Sequence, residues 1–326
     1  MPSPHPSRAA SRPGIPLALA LGLLLVGCSS SIGRGSVAPS SAEGQYPGWP
    51  GSGTVVGNTD FIPIVVNAEV GVGNSRVMIE VRDSAGRSLA SPDLSIHESF
   101  YDLAASVDSA ASQSPGVFRW LIPDTKAVYT ASADFGHAGD WGIEVTGTTT
   151  GKPDQTARVI FSVRDQTQTP AIGADAPPSD TPTGTDPARI AAISTDTHPD
   201  SRFYALSVKD AVAAGKPFVL VFATPLFCTS GTCGPALDLV KQVAPNYIGR
   251  VNFVHVEPYV LEVKDGRTQP VVDALGHPQP VHAVLEWGLP TEPYVFVVDG
   301  HGKVSAKFEG MAFPDELTAA LDALLP

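Results

Sequence analysis

Cys228 and Cys233, in "FATPLFCTSGTCGP" (222–235), are two of the three cysteines in this 326-residue chain, with four residues between them. Two thiols at that spacing can staple a loop, share a soft metal such as Cu(I), or cycle between dithiol and disulfide. In an unbroken helix, residues five apart are separated by about 7.5 Å along the axis, beyond the Cα separation of up to roughly 7 Å that a disulfide tolerates. "TSGT" is therefore expected to be a loop in the oxidised form, with Gly231 as its hinge. A disulfide closing so short a loop removes little entropy from the unfolded chain, which makes it a poor staple. Redox chemistry is the favoured reading, and either sulfur could attack. Cys233 stands at the head of a helix begun by Gly234-Pro235, where backbone N–H groups and the dipole favour a thiolate. Cys228 follows the apolar run "PFVLVFA" (217–223).

The compartment comes from the N-terminus. Residues 1–14 carry Arg8 and Arg12 and no acid, and "IPLALALGLLLVG" (15–27) is apolar but too short to span a bilayer. The run ends Leu25-Val26-Gly27-Cys28 and resembles the bacterial lipoprotein signal, which implies cleavage before Cys28 and lipidation of its sulfur. Residues 1–27 then form a signal peptide. The chain is expected at the cell membrane, lipid-anchored on the extracytoplasmic face. Cys28 is consumed by lipid, and an even pair remains in an oxidising compartment. Losing the two Arg moves the net charge from −12 to −14, which disfavours nucleic acid as a partner.

Composition divides the remainder. Residues 28–53 read as a flexible tether and "QTQTPAIGADAPPSDTPTGTDP" (166–187) as a Pro/Thr/Asp-rich linker, leaving domains at 54–165 and 188–326. In the first, short segments alternate with turn residues; Val77, Ile79 and Val81 alternate with Met78, Glu80 and Arg82, the period of a half-buried strand. Strands at this spacing indicate a β-sandwich. "AVYTASADFGHAGDWGIEVT" (127–146) resembles the strand-turn-strand ending of small extracytoplasmic immunoglobulin-like domains. His97 and His137 lack a close-spaced partner and read as surface residues. The expected role is spacing or docking, without catalysis.

The second domain reads as helix, buried strand, helix, buried strand: "SVKDAVAAGKP" (207–217) with Ser207 as N-cap, "PFVLVFA", "PALDLVKQVAPNYI" (235–248), "VNFVHVE" (251–257). Strand-helix-strand in that order implies a parallel pair. "EPYVFVVDGHGKVSAKFEG" (292–310) reads as a hairpin turning at Asp299-Gly300-His301-Gly302, and "PDELTAALDALL" (314–325) as a closing helix. A cysteine pair between first strand and helix, with Pro293 heading the hairpin, resembles the thioredoxin-like family over residues 188–326. The resemblance implies an α/β thioredoxin-like fold, an attacking Cys228 after Phe227, a resolving Cys233 and a cis-proline at Pro293 facing the sulfurs. It implies no cofactor beyond the redox-active disulfide. Its partners are protein thiols and disulfides outside the cytoplasm. The chain departs from the family in spacing, Cys-x4-Cys where Cys-x2-Cys is usual. It departs again at Phe222, the position of a buried carboxylate in many members. Glu292, beside the proline, either faces the sulfurs, where its charge would raise a thiol's pKa, or faces solvent.

Two alternatives come from other resemblances. One peroxiredoxin subgroup also spaces its cysteines Cys-x4-Cys, in a Thr-Pro-Gly-Cys context; here two residues follow Thr224-Pro225 before Cys228, and the expected Arg has no candidate. A thioredoxin-like copper-delivery family pairs two Cys with a distant His, to be sought at His277, His282 or His301. His255 alternates within a buried strand and reads as a hydrogen-bonded core residue. The sequence thus leads to a membrane-anchored thiol-disulfide oxidoreductase.

Overall fold

The structure is a computed structural model that describes residues 45–51 and 53–325. Its first half holds β1 (Val56–Gly57), β2 (Ile62–Val65), β3 (Val70–Gly71), β4 (Gly73–Arg82), β5 (Leu94–Asp102), β6 (Ser112–Ile122), β7 (Lys126–Phe135), β8 (Gly139–Thr149) and β9 (Gln155–Arg164). All nine belong to one sheet, ordered β1-β9-β8-β5-β6-β7-β4-β2, with β3 beside β9. This corrects the immunoglobulin-like sandwich. Apart from the short β3, which runs parallel to β9, the sheet is antiparallel, and it is curled into a half-barrel in which β6 serves two neighbours in succession. Its Ser112–Gly116 stretch pairs with β5 and its Val117–Ile122 stretch with β7, so no gap separates two sheets. Alternation reports which face of a strand is buried, and is blind to a strand that changes partner along its length. Inside the curl, Val77, Ile79, Val81, Phe100, Tyr129 and Phe135 are fully buried. The expected tether is also seated at its end: Trp49 is buried, donates its ring N–H to the Val107 carbonyl at 3.0 Å and lies flat on Gly142, where a Cβ would meet the ring at 2.4 Å.

The second half holds α1 (Pro187–Ile193), α2 (Val208–Ala213), β10 (Phe218–Phe222), α3 (Cys233–Val243), β11 (Asn252–Val256), β12 (Leu261–Lys264), β13 (Arg267–Pro270), α4 (His282–Glu286), β14 (Tyr294–Val298), β15 (Val304–Glu309) and α5 (Pro314–Asp322). A mixed sheet runs β11-β10-β14-β15, parallel between β10 and β11 and antiparallel elsewhere. Side chains alternate across it. Val219, Val221, Val295 and Val297 face α3 and α5, while Phe218, Leu220, Phe222 and Phe296 face Trp287. The α/β thioredoxin-like class is corrected as well. Across all the described residues strand amounts to 38% against 16% helix, and the five helices of this half run only 5 to 11 residues. The apolar runs specified buried strands, yet the helical patterns between them were too brief to make helical layers of the kind expected.

The described residues form one compact unit. Arg76 of β4 binds Glu316 of α5 through two nitrogens at 2.8 and 3.0 Å, and donates to the Glu309 and Met311 carbonyls. Glu309 in turn accepts from the Ala68 N–H at 2.7 Å. Met78, expected to face solvent, is buried because this seam covers it. Residues 166–187 are laid against both halves. Thr169 donates its N–H and hydroxyl to Glu69, and Gly173, Ala174 and Ala176 exchange backbone hydrogen bonds with Val304 and Gly302 on the rim of β15. Glu98 of β5 is an exception to this pairing. It is fully buried in the half-barrel and neither carboxylate oxygen has a hydrogen-bond partner. Burial alone pushes its pKa up to about 8.

Removing one partner of a buried charged pair is expected to cost about 3 kcal/mol. Arg76→Ala should lose about that much in urea unfolding, and Arg82→Ala, at a far more exposed pair with Glu80, less than about 1 kcal/mol. Glu98 has a raised folded pKa, so its contribution is intact below its unfolded value and is lost as pH rises through about 8. Glu98→Met should flatten the decline of stability between pH 5 and 9. The wild type falls by up to about 4 kcal/mol over that range, each tenfold difference in proton affinity between folded and unfolded chains being worth roughly 1.4 kcal/mol.

Candidate functional site

β10 is buried along its whole length and delivers the chain to the loop carrying the cysteines. Cys228 and Cys233 are disulfide-bonded with their Cα atoms 5.9 Å apart, a separation that the loop conformation of "TSGT" allows. Gly231 takes φ +73°, a left-handed conformation that favours glycine and reverses the chain in four residues. Cys233 is the first residue of α3. The two sulfurs are in unlike surroundings. Cys233 is completely buried, packed with Leu237, Val240 and other core residues, whereas Cys228 is half-buried. The Cys228 sulfur accepts from the Cys233 N–H at 3.3 Å and from the Ser230 hydroxyl at 3.1 Å. Ile122, at the end of β6, approaches this loop, with its Cδ1 3.4 Å from where a Cβ on Gly231 would sit.

Phe222 is buried against Trp287 and Phe296, and so supplies no carboxylate. A buried carboxylate stands at the end of the neighbouring strand. Glu257, one residue past β11, is buried beside the end of β10 and takes the N–H and hydroxyl of Thr195 at 2.9 and 2.8 Å on Oε2. The same Thr195 hydroxyl oxygen accepts the Leu226 N–H at 3.2 Å, tying the carboxylate to the cysteine loop. Oε1 has no aligned partner, although the buried Thr224 hydroxyl lies close to it. Burial pushes the Glu257 pKa up to about 6, against the lowering effect of Thr224 and Thr195. The sequence reading missed this group. The available signal was a Glu closing the apolar run "VNFVHV", followed by Pro258. His255 contacts the Ala223 carbonyl at 2.8 Å and the Tyr204 hydroxyl at 3.0 Å, and burial pushes its pKa down to about 4. It is a neutral core residue at physiological pH.

The Glu292–Pro293 peptide is cis and Pro293 is buried at the head of β14. Glu292 is half-buried and accepts from the Tyr259 hydroxyl at 3.0 Å, so it is engaged by the segment after β11. The histidines are dispersed: His277 pairs with Asp273, His282 with Glu286, and His301 lies exposed in the β14–β15 turn. His137 is exposed beside Asp102 at 2.8 Å, and His97 is exposed on β5. Among the described residues no three His, Cys, Asp or Glu are grouped to hold a metal, and no helix is long and apolar enough to cross a membrane. Cys28, the lipidation candidate, lies outside the described residues.

No family model matches the chain, and no curated protein does. Among solved structures, an engineered protein is similar at 14% identity and a TM-score of 0.21, over 32% of this chain and 20% of that one. The soluble domain of PmoD from Methylocystis sp. is similar at 15% identity and a TM-score of 0.20, over 29% of this chain and 75% of that one. Likeness this slight carries no argument about fold or function.

The unequal burial of the two sulfurs makes a chemical expectation. After reduction, iodoacetamide should label Cys228 at least tenfold faster than Cys233, read by peptide mass spectrometry of briefly quenched samples. Equal rates would mean that the loop opens fully on reduction.

Proposed function

We propose that the chain is a thiol-disulfide oxidoreductase working outside the cytoplasm, anchored through lipid on Cys28 and acting on protein thiols and disulfides. The observation that carries the reading is the asymmetry of the pair: an approachable Cys228 sulfur that receives two hydrogen bonds, and a buried Cys233 within bonding distance of it. Those donors would hold negative charge on Cys228 once the disulfide opens.

In the reducing direction, the Cys228 thiolate attacks one sulfur of a substrate disulfide. A Cys228–substrate bond forms, the substrate S–S bond breaks, and the other substrate sulfur leaves as a thiolate. The Cys233 thiolate then attacks the Cys228 sulfur, forming the intramolecular disulfide and releasing the second substrate thiolate. Two electrons pass from protein to substrate. Run in reverse, the oxidised pair takes two electrons from a substrate dithiol. Glu257 acts through Thr195, which fixes the Leu226 amide and hence the approach to Cys228. The cysteine loop is short, so the pair constrains little of the unfolded chain and gains little as a staple.

Cys233→Ser should accumulate a mixed disulfide with substrate through Cys228, and Cys228→Ser should accumulate far less; the reverse pattern would exchange the roles. The pair's potential, from thiol trapping across a glutathione or dithiothreitol series, is expected in the range of roughly −120 to −270 mV spanned by exchange catalysts. A value below about −300 mV with no trapping of either variant would make the bond structural.

A further inference from the structure

The loop between the two cysteines carries three hydroxyls, Thr229, Ser230 and Thr232, and two of them are ordered in series. Ser230 Oγ lies 3.1 Å from the Cys228 sulfur and 2.7 Å from Thr232 Oγ1, and it also receives the Thr232 N–H at 3.4 Å. A hydroxyl offers one hydrogen and two lone pairs. The Cys228 sulfur, bonded to Cys233, carries no hydrogen, so Ser230 is the donor in that contact. With its one hydrogen committed, the Ser230 oxygen can only accept from the Thr232 hydroxyl. Two donors from Thr232 therefore occupy the oxygen, and the hydroxyl hydrogens point one way, from Thr232 to Ser230 to sulfur.

Thr232 forgoes the ordinary work of its position to do this. It is the N-cap of α3, where a threonine side chain usually accepts a backbone N–H from the first turn. Thr232 makes no such bond. The first-turn N–H of Cys233 goes instead to the Cys228 sulfur at 3.3 Å, so that sulfur takes the place of a capping acceptor. The two hydroxyls also differ in exposure: Ser230 is exposed, whereas Thr232 is buried. An exposed serine hydroxyl turns freely and divides its hydrogen between water and any nearby acceptor. Thr232, holding the Ser230 oxygen from the buried side, aims that hydrogen at sulfur.

We infer that Thr232 is a positioning residue that acts through Ser230, and that the two hydroxyls together favour the Cys228 thiolate over the disulfide. A thiolate accepts charge-assisted hydrogen bonds, roughly twice as strong as neutral ones, whereas a disulfide sulfur is a weak neutral acceptor. The donors thus gain strength when the bond opens. Hydrogen bonds in series polarise one another, so Thr232 adds to the pull of Ser230 without touching sulfur. In reduction, a substrate dithiol gives two electrons to the Cys228–Cys233 bond and is itself closed to a disulfide. Of its two protons, one passes to Cys233 and the other to solvent, which leaves Cys228 as the thiolate. Stabilising that product raises the potential of the pair and biases it toward oxidising protein dithiols. The use made of this bias rests on the exchange reading of Cys228 and Cys233, whereas the bias itself is an equilibrium property measurable with small thiol reagents.

The test is the dithiol–disulfide equilibrium of the full chain against a glutathione or dithiothreitol series at pH 7, read by thiol trapping and peptide mass spectrometry. Ser230→Ala should shift it about tenfold toward the disulfide, which is about 30 mV for a two-electron couple. Thr232→Val, close in shape but without the hydroxyl, should shift it about threefold or more, and Thr232→Ser should stay within twofold of the native chain. Ser230→Ala combined with Thr232→Val should shift no further than Ser230→Ala alone, because the Thr232 hydroxyl acts on sulfur only through Ser230. Thr229→Val, at the exposed remaining hydroxyl of the loop, should stay within twofold. A loop merely loosened by substitution would move Thr229→Val as well and would give additive shifts in the double variant. Either of those results, an unshifted Ser230→Ala, or a Thr232→Ser displaced as far as Thr232→Val would overturn the inference. The expected pattern of shifts in a chain that exchanges no protein disulfide would retain the hydroxyl relay and lose the exchange reading. Disulfide exchange with unshifted variants would retain the exchange reading and lose the relay.

Discussion

Arg76 is the group on which the arrangement of the described chain turns. Its guanidinium leaves the half-barrel from β4, meets the Glu316 carboxylate on α5 and two carbonyls near the end of β15, and is itself nearly inaccessible to solvent. A buried cation with all its contacts met from another segment leaves little freedom for that segment to move, because any opening would strand the charge without water or partner. Around it the same logic repeats. Glu69 and Glu309 accept backbone N–H groups from segments far away in sequence, and the Lys307 ammonium is held by the Thr167 and Thr169 hydroxyls. Burial pushes the Glu309 pKa up and the Lys307 pKa down, the mark of charges held out of water by the fold.

That seam gives the half-barrel a part in the site. Arg119 of β6 binds Asp315 at 2.6 and 2.8 Å and stacks over Phe313 at 4.8 Å, which pins the second stretch of β6 to α5. Leu121 then packs with Ala236, Met311 and Phe313, and Ile122 reaches Gly231. The hinge of the cysteine loop is thus bounded on one side by a strand from the other half of the molecule. Ile122 at the end of β6 is thus the side chain against which this hinge is seated.

The legible parts of the sequence are those decided locally. The Ser207 cap, the strand at 218–222, the hairpin turn at 299–302, the helix beginning beside Pro235 and the loop character of "TSGT" each follow from a few adjacent residues, and each is found. What is not legible depends on partners distant in sequence. β6 divides its hydrogen bonds between β5 and β7, and its sequence carries no record of the second partner. The Pro/Thr/Asp stretch reads as a free linker because it lacks apolar period, yet Thr169, Ser179 and Thr181 are buried, and periodicity does not detect burial of polar residues. Glu257 escapes notice for a related reason. The expectation is of a carboxylate on the strand that precedes the cysteines, whereas the buried one lies just past the parallel neighbour, where only the β10–β11 register brings it alongside the end of β10.

The sulfur asymmetry and the position of Glu257 belong to one constraint. Parallel pairing of β10 with β11 ends both strands at the same level, Phe222 opposite Val256, so the next residues of both must turn away together. On β10 that turn becomes the cysteine loop, and on β11 it becomes Glu257-Pro258 and the β12–β13 pair beyond. A buried carboxylate at such a shared end is costly unless backbone or hydroxyl donors converge on it. Thr195 supplies two of them, and in doing so fixes the loop that leads to Cys228. The helix that follows starts at Cys233, whose side chain lies in the core while Cys228 stays at the rim. Which cysteine is approachable is therefore a matter of place in the fold, one at the rim of the loop and one in the first turn of a packed helix, before any property of the thiols themselves comes into play.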